Sequence, residues 1–322
     1  MTDTNEYKIV VYTPYLSHDS GIMVILLMIL LSSILGGVLF SSVGKILSPY
    51  LLFFLGIILF LNLVRMDTSK LLSVFLKPRL LIKLSIVKLI IIPVIMHLLA
   101  SLLYPRDALP ILLLSGISTG LGAPFVVNLF GGNIALIVGT VVTTSISVPF
   151  ILPILVYIFF QSELSVPVTN MAIILSVALF VPLAAGWATK KYKADLADIL
   201  GANSMAPSLG LIFLINLIIF SNASAYFFTD QSFVINTTFE AIILFAVYGL
   251  FGYMTVGIKG KDSRDKFSGV IAMTYINNIL VVVLAQQFFG QQIAALATFY
   301  NVPYILGIIL LRTKTAYRNS NS

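Results

Sequence analysis

A lysine lies inside one of the most apolar stretches of the chain. Residues 79 to 103 read RLLIKLSIVKLIIIPVIMHLLASLL, which is typical of a membrane-spanning helix, and Lys88 falls within this stretch. A charged side chain at such a depth costs about 3 kcal/mol or more unless another group pairs with it or solvates it. Because charges retained inside membranes usually mark substrate or ion sites, Lys88 is the first candidate binding residue.

Two clusters of small and polar residues interrupt other apolar stretches. The first reads STGLGAPFVVN at 118–128, where two glycines and a proline allow the backbone to leave helical geometry. The second reads MTYINN at 273–278. A helix broken in mid-membrane exposes an N-terminus that attracts anions and a C-terminus that attracts cations. The candidate substrate- and ion-binding residues are therefore Lys88, Ser118, Thr119, Gly122, Ala123, Pro124, Asn128, Thr274, Asn277 and Asn278.

Each of these features also has a purely structural explanation. Pro124 and its glycine neighbours are also typical of a kinked helix that packs closely. The paired asparagines could make ordinary interhelical hydrogen bonds, worth about 0.6 kcal/mol each. Lys88 lies five residues beyond Lys83, or about 8 Å deeper, so its long side chain could also reach the cytoplasmic interface. Two matched clusters beside a lysine favour a binding site over these explanations.

Composition identifies a polytopic membrane protein. Of 322 residues, 59% are hydrophobic and 10% are charged, with a mean hydropathy of +1.05, whereas soluble domains carry about 25% charged residues. A soluble enzyme is thereby excluded, and the net charge of +7 indicates cytoplasmic loops rather than nucleic-acid binding. The chain has no cysteine, and neither a metal site, a cofactor nor a cleaved signal peptide is predicted.

Ten spans with short connections are predicted. They cover roughly residues 21–42, 46–65, 80–104, 109–129, 133–160, 169–189, 205–227, 238–258, 268–288 and 292–312. Sixteen lysines and arginines fall on one side of this arrangement, and only Lys45 and Arg106 fall on the other. Since basic residues accumulate on the cytoplasmic side, both termini are expected in the cytoplasm, with the protein in the inner (plasma) membrane.

The two halves of the predicted arrangement correspond to each other. Spans 4 and 9 occupy matching places and carry the two polar clusters. Five spans per half is an odd number, so the second half enters the membrane upside-down, as in the inverted repeats of secondary transporters. The expected parts are a cytoplasmic N-terminal segment (1–20), a first repeat (21–160), a second repeat (161–312) and a cytoplasmic tail (313–322).

Several stretches resemble the bile acid:sodium symporter family. The resemblance rests on residues 48–103, where an apolar span closes on a basic turn and a KP step precedes a span with a mid-helix proline. It also rests on GAPFVVNLFGGNIALIVGTVVTTSISVPFILPIL at 122–155, and it extends over about residues 20–312. The resemblance implies an all-α membrane fold with a panel domain (spans 1, 2, 6 and 7) and a core domain. Spans 4 and 9 would be broken and would cross in the core, and the substrates would be organic anions, often carried with sodium.

Departures from the family pattern concern its sodium sites. An ungapped alignment puts the following residues at positions that hold polar or acidic sodium ligands in the family: Ala123, Pro124, Ile137, Val141, Ala272, Ile276 and Lys88. Sodium needs several oxygen ligands, and those side chains are gone. Lys88 is therefore expected to replace a sodium ion, as a fixed charge that donates to unwound carbonyls and can bind and release a proton.

The sequence thus predicts a secondary active transporter that moves a small organic anion across the lipid bilayer, with protons in place of sodium or with no coupling ion. A sodium-coupled organic anion symporter, an auxin-efflux-like proton-coupled carrier and a non-transporting membrane sensor remain as alternatives. No enzymatic activity and no nucleic-acid partner are expected, and the oligomeric state is not predicted.

Overall fold

The computed structural model describes residues 16–65, 78–162, 167–257 and 262–320, and these are almost entirely helical. We number the helices in chain order. They are α1 Leu16–Leu39, α2 Ser41–Leu47, α3 Leu51–Arg65, α4 Pro78–Leu103, α5 Ala108–Gly116, α6 Ala123–Leu129, α7 Ile134–Phe160, α8 Val168–Tyr192, α9 Ala194–Ala202, α10 Met205–Thr229, α11 Gln231–Val256, α12 Ser263–Thr274, α13 Asn278–Phe288, α14 Gln291–Phe299 and α15 Asn301–Ser320.

Seven helical stretches in the described ranges are long and apolar enough to cross a membrane. They are Ser41–Val64, Pro78–Leu103, Ile134–Phe160, Val168–Tyr192, Met205–Thr229, Gln231–Val256 and Gln291–Leu311. Three predicted spans are missing from this set. Two of them, spans 4 and 9, consist of two short helices each, and the first span contributes a shorter apolar helix, Leu27–Leu39. The chain is therefore a multi-pass membrane protein, and the number ten remains a prediction.

The predicted boundaries mostly agree with the helices to within a few residues. Among helix starts the largest difference is at α11, which begins at Gln231 rather than at residue 238, and α15 continues to Ser320, beyond the predicted end of span 10 at 312. Asp230 explains the early start, because its carboxylate accepts a hydrogen bond from the amide of Phe233 at 2.9 Å and so caps the helix. Most of the predicted N-terminal segment, at 1–15, lies outside the described residues, as do Lys8, Lys70, Lys77, Lys259 and Lys261.

Two groups of packed helices can be described, and α7 and α8 also pack against each other across them. In the first group α1 and α2 pack against α10, and α3 packs against α8. In the second group α4 packs against α5, α5 and α6 pack against α7, and α11 packs against α12. The two interrupted spans both belong to the second group, and this group therefore positions the candidate site.

Polar contacts join helix ends that the predicted topology puts on the same side of the membrane. Lys83 of α4 donates to the carbonyl of Thr255 near the end of α11 at 2.7 Å. Asn133, just before α7, donates to the carboxylate of Asp265 at the start of α12 at 2.6 Å. Both contacts link segments that are expected in the cytoplasm, so the relative sides of these ends agree with the predicted alternation.

The contact between α1 and α10 depends on a glycine. A Cβ on Gly37 would lie 2.6 Å from the carbonyl oxygen of Leu217 and 2.9 Å from Cβ of Phe220. Such distances are too short for real contacts, so the backbones approach this closely only because Gly37 has no side chain.

We expect Gly37→Ala to separate α1 from α10 and to lower the free energy of unfolding by about 1–3 kcal/mol. Thermal unfolding in detergent measures this as a lower Tm. Gly210→Ala on α10 is the matched control, because a Cβ there would meet nothing within 4 Å. Equal Tm values for the two variants would contradict the packing argument.

Candidate functional site

The predicted span 4 is interrupted in mid-course. Helix α5 ends at Gly116, Ile117 has extended geometry (φ −77°, ψ 159°), and α6 begins only at Ala123. Pro124 stands at the start of α6, where its missing N–H leaves no helical hydrogen bond unmade. The glycine- and proline-rich cluster therefore stops one helix and starts another, rather than kinking a continuous one.

The predicted span 9 is interrupted in the same way. Helix α12 ends at Thr274, and α13 begins at Asn278. The three residues between them, 275–277, are non-helical.

The two interruptions pair with each other through their backbones. The amide of Gly120 donates to the carbonyl of Tyr275 at 2.7 Å, and the amide of Asn277 donates to the carbonyl of Ser118 at 3.0 Å. These two bonds make an antiparallel bridge between Thr119 and Ile276. We call the paired segments, residues 117–122 and 275–277, the crossing.

A glycine is required at the closest point of the crossing. A Cβ on Gly120 would lie 2.6 Å from the carbonyl oxygen of Ile276 and 3.0 Å from that of Tyr275. The hydroxyl of Thr119 adds a third link, since it donates to the carbonyl of Ala272 at 2.8 Å. Three of the predicted site residues, Ser118, Thr119 and Asn277, therefore meet at one place. Thr274 directly precedes the second break, and its hydroxyl donates to the carbonyl of Val270 within α12 at 2.9 Å.

Lys88 is directed at this place. It is fully buried, and its ammonium donates to the carbonyl of Ser115 at 3.1 Å. The same ammonium lies 5.4 Å from the ring centroid of Tyr248 on α11, within the range of a cation–π contact. The side chain thus points toward the end of α5 and does not extend to the cytoplasmic interface.

The carbonyl of Ser115 is available to Lys88 because the helix has ended. In a continuous helix it would accept from the amide of Thr119. That amide instead donates to the hydroxyl of Thr144 on α7 at 3.1 Å. Lys88 therefore satisfies an acceptor at the carbonyl end of a half-helix, where the helix dipole favours positive charge.

The backbone at Lys88 is itself irregular. Val87–Ile91 form a π-helical turn within α4, in which the amide of Ile92 donates to the carbonyl of Val87. Pro93 follows directly and has no N–H to donate to Leu89 in a regular α-helical pattern. One-turn π-bulges occur frequently at functional sites.

The remaining predicted residues lie in different surroundings. Asn278 points away from the first break, because its amide donates to Asn301 at 3.0 Å and to the carbonyl of Ala297 at 3.4 Å. Ala123 is fully buried, Pro124 is half-buried, and Gly122 has open space around it. Asn128 is exposed near the far end of α6. The crossing therefore does not bring Asn128 and Asn278 together with the other candidates.

Two buried polar atoms at the crossing have no hydrogen-bond partner among the described residues. They are the hydroxyl of Ser118 and the side-chain nitrogen of Asn277. Both side chains are more than nine-tenths buried. Buried polar atoms are nearly always hydrogen-bonded, so these two have hydrogen-bonding capacity that a polar ligand or water can use. They lie next to the N-terminal end of α13, where a half-helix begins.

The crossing offers few side-chain ligands for a metal cation. The positions aligned with sodium-ligand side chains include Ile137, Val141 and Ala272, which are apolar and buried. Within the described ranges no three His, Asp or Glu residues lie close enough to hold a metal ion. Glu240 of α11 is half-buried and lies outside the crossing.

Several functional candidates were missed by sequence reasoning. Ser115 and Thr144 contribute through a backbone carbonyl and a hydroxyl on a neighbouring helix, which no local pattern reveals. Tyr300 and Tyr304 donate to the carbonyls of Thr274 and Ile276 at the second break. The available signal was two tyrosines four residues apart in an apolar stretch, since buried tyrosine hydroxyls need partners.

Comparison with known protein families decides the identity of the fold. The model of the Sodium Bile acid symporter family matches residues 52–230, which is more than half of the chain. The chain belongs to this family. A search of curated proteins returned no match.

Membership in the sodium bile acid symporter family confirms the resemblance drawn from the sequence. The protein is therefore a membrane transporter of the symporter kind, and the family consists of transporters rather than enzymes. The matched residues include Lys88, the first break and α7, whereas the second break lies beyond the match.

We expect Thr144→Val to destabilise the first break, because it removes the acceptor of the Thr119 amide and leaves a buried N–H without a partner. The cost should be about 1–3 kcal/mol, seen as a lower Tm in detergent. Thr140→Val is the matched control. Thr140 is equally buried one turn earlier, and its hydroxyl donates to Leu136 within its own helix. If Thr140→Val lowered the Tm as much as Thr144→Val, the role assigned to the Thr144 hydroxyl would be contradicted.

Proposed function

We propose that this protein is a secondary active transporter that moves a small organic anion by alternating access, and that Lys88 takes the place of a sodium ion. Transport is then coupled to protons or to no ion. The proposal includes ten spans arranged as two inverted repeats, a panel and a core domain, and an inner (plasma) membrane location with both termini in the cytoplasm.

The buried ammonium of Lys88 is the observation that carries this proposal. A sodium ion would bind where carbonyl oxygens are released by an interrupted helix. Here the carbonyl of Ser115 is released by the end of α5, and Lys88 already donates to it at 3.1 Å. The positive charge at this carbonyl is therefore a covalent part of the chain.

The partners of Lys88 also leave its charge unneutralised. Its described neighbours are a carbonyl, that of Ser115, and an aromatic ring, that of Tyr248. Among the described residues, no carboxylate forms a hydrogen bond or ion pair with it. An unneutralised cation inside a protein favours the binding of an anion nearby. This charge balance supports an anionic substrate.

Polar donors at the crossing support the same substrate class. The side-chain N–H group of Asn277 and the hydroxyl of Ser118 both have no hydrogen-bond partner among the described residues. The adjoining end of α13 presents backbone N–H groups, which favour negative charge. A carboxylate or sulfonate bound there would receive hydrogen bonds from all three sources.

Sodium coupling is the second candidate function. The description of the family favours it, since sodium is named there. The apolar side chains at Ala272 and Ile276 oppose it, because they offer no oxygen to a metal ion.

We expect uptake of an organic anion into proteoliposomes to be the same with and without a sodium gradient. Lys88→Ala should reduce uptake at least tenfold, because the anion would lose the fixed charge. Lys88→Gln keeps a donor for the Ser115 carbonyl but no charge, so its uptake should fall equally if the charge is what matters. A thermal-shift screen of carboxylates and sulfonates selects the anion for the assay.

Lys45→Gln is the control for these variants, because Lys45 is an exposed lysine on α2. Its uptake should equal that of the unchanged protein. Sodium-dependent uptake that persists in Lys88→Ala would overturn the proposal. Ligand-induced stabilisation without any flux would favour a sensor instead.

A further inference from the structure

The second break releases a carbonyl that no backbone amide of the described residues satisfies. In a continuous helix the carbonyl of Ile276 would accept from the amide of Leu280. That amide donates instead to the carbonyl of Asn277 at 3.1 Å. The hydroxyl of Tyr304, on α15, donates to the carbonyl of Ile276 in its place. A side chain from another helix thus completes the backbone hydrogen bonding.

A second tyrosine, Tyr300, donates to another carbonyl at this break, that of Thr274. In a continuous helix the carbonyl of Thr274 would accept from the amide of Asn278, but Asn278 begins α13 instead. The hydroxyl of Tyr300 donates to the carbonyl of Thr274 at 3.2 Å, and the amide of Ile276 donates to the same oxygen at 3.2 Å. Tyr300 is fully buried, so its hydroxyl has little alternative partner in water.

Ring packing holds the two hydroxyls in position. Tyr304 stacks on Tyr275 with ring centroids 4.9 Å apart and packs edge-on against Tyr300 at 5.4 Å. Phe245 of α11 borders the same group at 5.9 Å from Tyr300. Rings fixed on several sides lose little further freedom when their hydroxyls bond, so these donors are preorganised.

We propose that Tyr300 and Tyr304 are positioning residues that occupy, at the second break, the place a cation would take at the carbonyl end of an interrupted helix. Released carbonyls at such an end attract cations. Two neutral hydroxyl donors satisfy these oxygens without bringing a charge. With Lys88 at the first break, both carbonyl ends of the crossing are then closed by the protein's own side chains.

This inference deepens the proposed function, because it extends cation independence from one break to the other. It does not depend on the identity of the transported anion. Its test is a binding measurement on the second break, whereas the Lys88 experiment measures anion flux, so the two can fail separately.

The test compares thermal stability in sodium chloride and in choline chloride at equal ionic strength. The Tm of the unchanged protein should be the same in both salts. Tyr300→Phe/Tyr304→Phe keeps the rings but removes both donors, so its Tm in choline chloride should fall. Sodium should then bind the exposed carbonyls and raise the Tm of this variant by about 2–4 °C.

Tyr157→Phe is the matched control, because Tyr157 is an exposed tyrosine on α7. The Tm of this variant should be the same in both salts. The single variants Tyr300→Phe and Tyr304→Phe remove one donor each and provide the measurement where the double variant does not accumulate. If the Tm of the tyrosine variants fell by the same amount in both salts, the hydroxyls would not stand in for a cation, and the proposal would be wrong. A sodium response of equal size in the unchanged protein would also overturn the proposal.

Discussion

A backbone that leaves helical geometry inside a membrane must find partners for every N–H and C=O that it releases, because hydrocarbon offers none. The crossing meets this requirement in two ways. Part of the released backbone pairs with itself, through the bonds from Gly120 to Tyr275 and from Asn277 to Ser118. Four side chains from surrounding segments satisfy further released groups. They are Lys88 on α4, Thr144 on α7, Tyr300 between α14 and α15, and Tyr304 on α15.

This requirement connects the fold to the chemistry of transport. An ion that neutralises a broken helix can be exchanged with the solution, so its gradient can drive a substrate. A lysine that neutralises the same helix end cannot leave, and it contributes at most one proton. Under the proposed function, the replacement of an ion by Lys88 would change the source of energy for transport and would preserve a positive charge at the Ser115 carbonyl. The family membership and the altered site are compatible for this reason.

The sequence predicted those parts of the site that depend on local chemistry. Glycine and proline at 120–124 and paired asparagines at 277–278 are sufficient to locate both breaks, because these residues act on their own backbone. Lys88 was found because a charge stands out in an apolar stretch. The partners of the breaks were not found. Thr144 and Tyr304 look like ordinary helix residues, and their roles arise only when distant helices pack together. Asn278 was predicted at the crossing but faces Asn301, since sequence spacing does not specify which neighbour an amide will face.

The antiparallel bridge between Thr119 and Ile276 also constrains how the molecule can move. Pulling the two segments apart would expose amides and carbonyls to hydrocarbon on both sides at once. Any motion that carries a solute across the bilayer must therefore take the two interruptions along as one mechanical unit. Flexibility has to reside elsewhere, at surfaces where helices meet through apolar side chains and can slide without breaking hydrogen bonds. A single pair of backbone contacts thereby ties the two interrupted spans into one moving part.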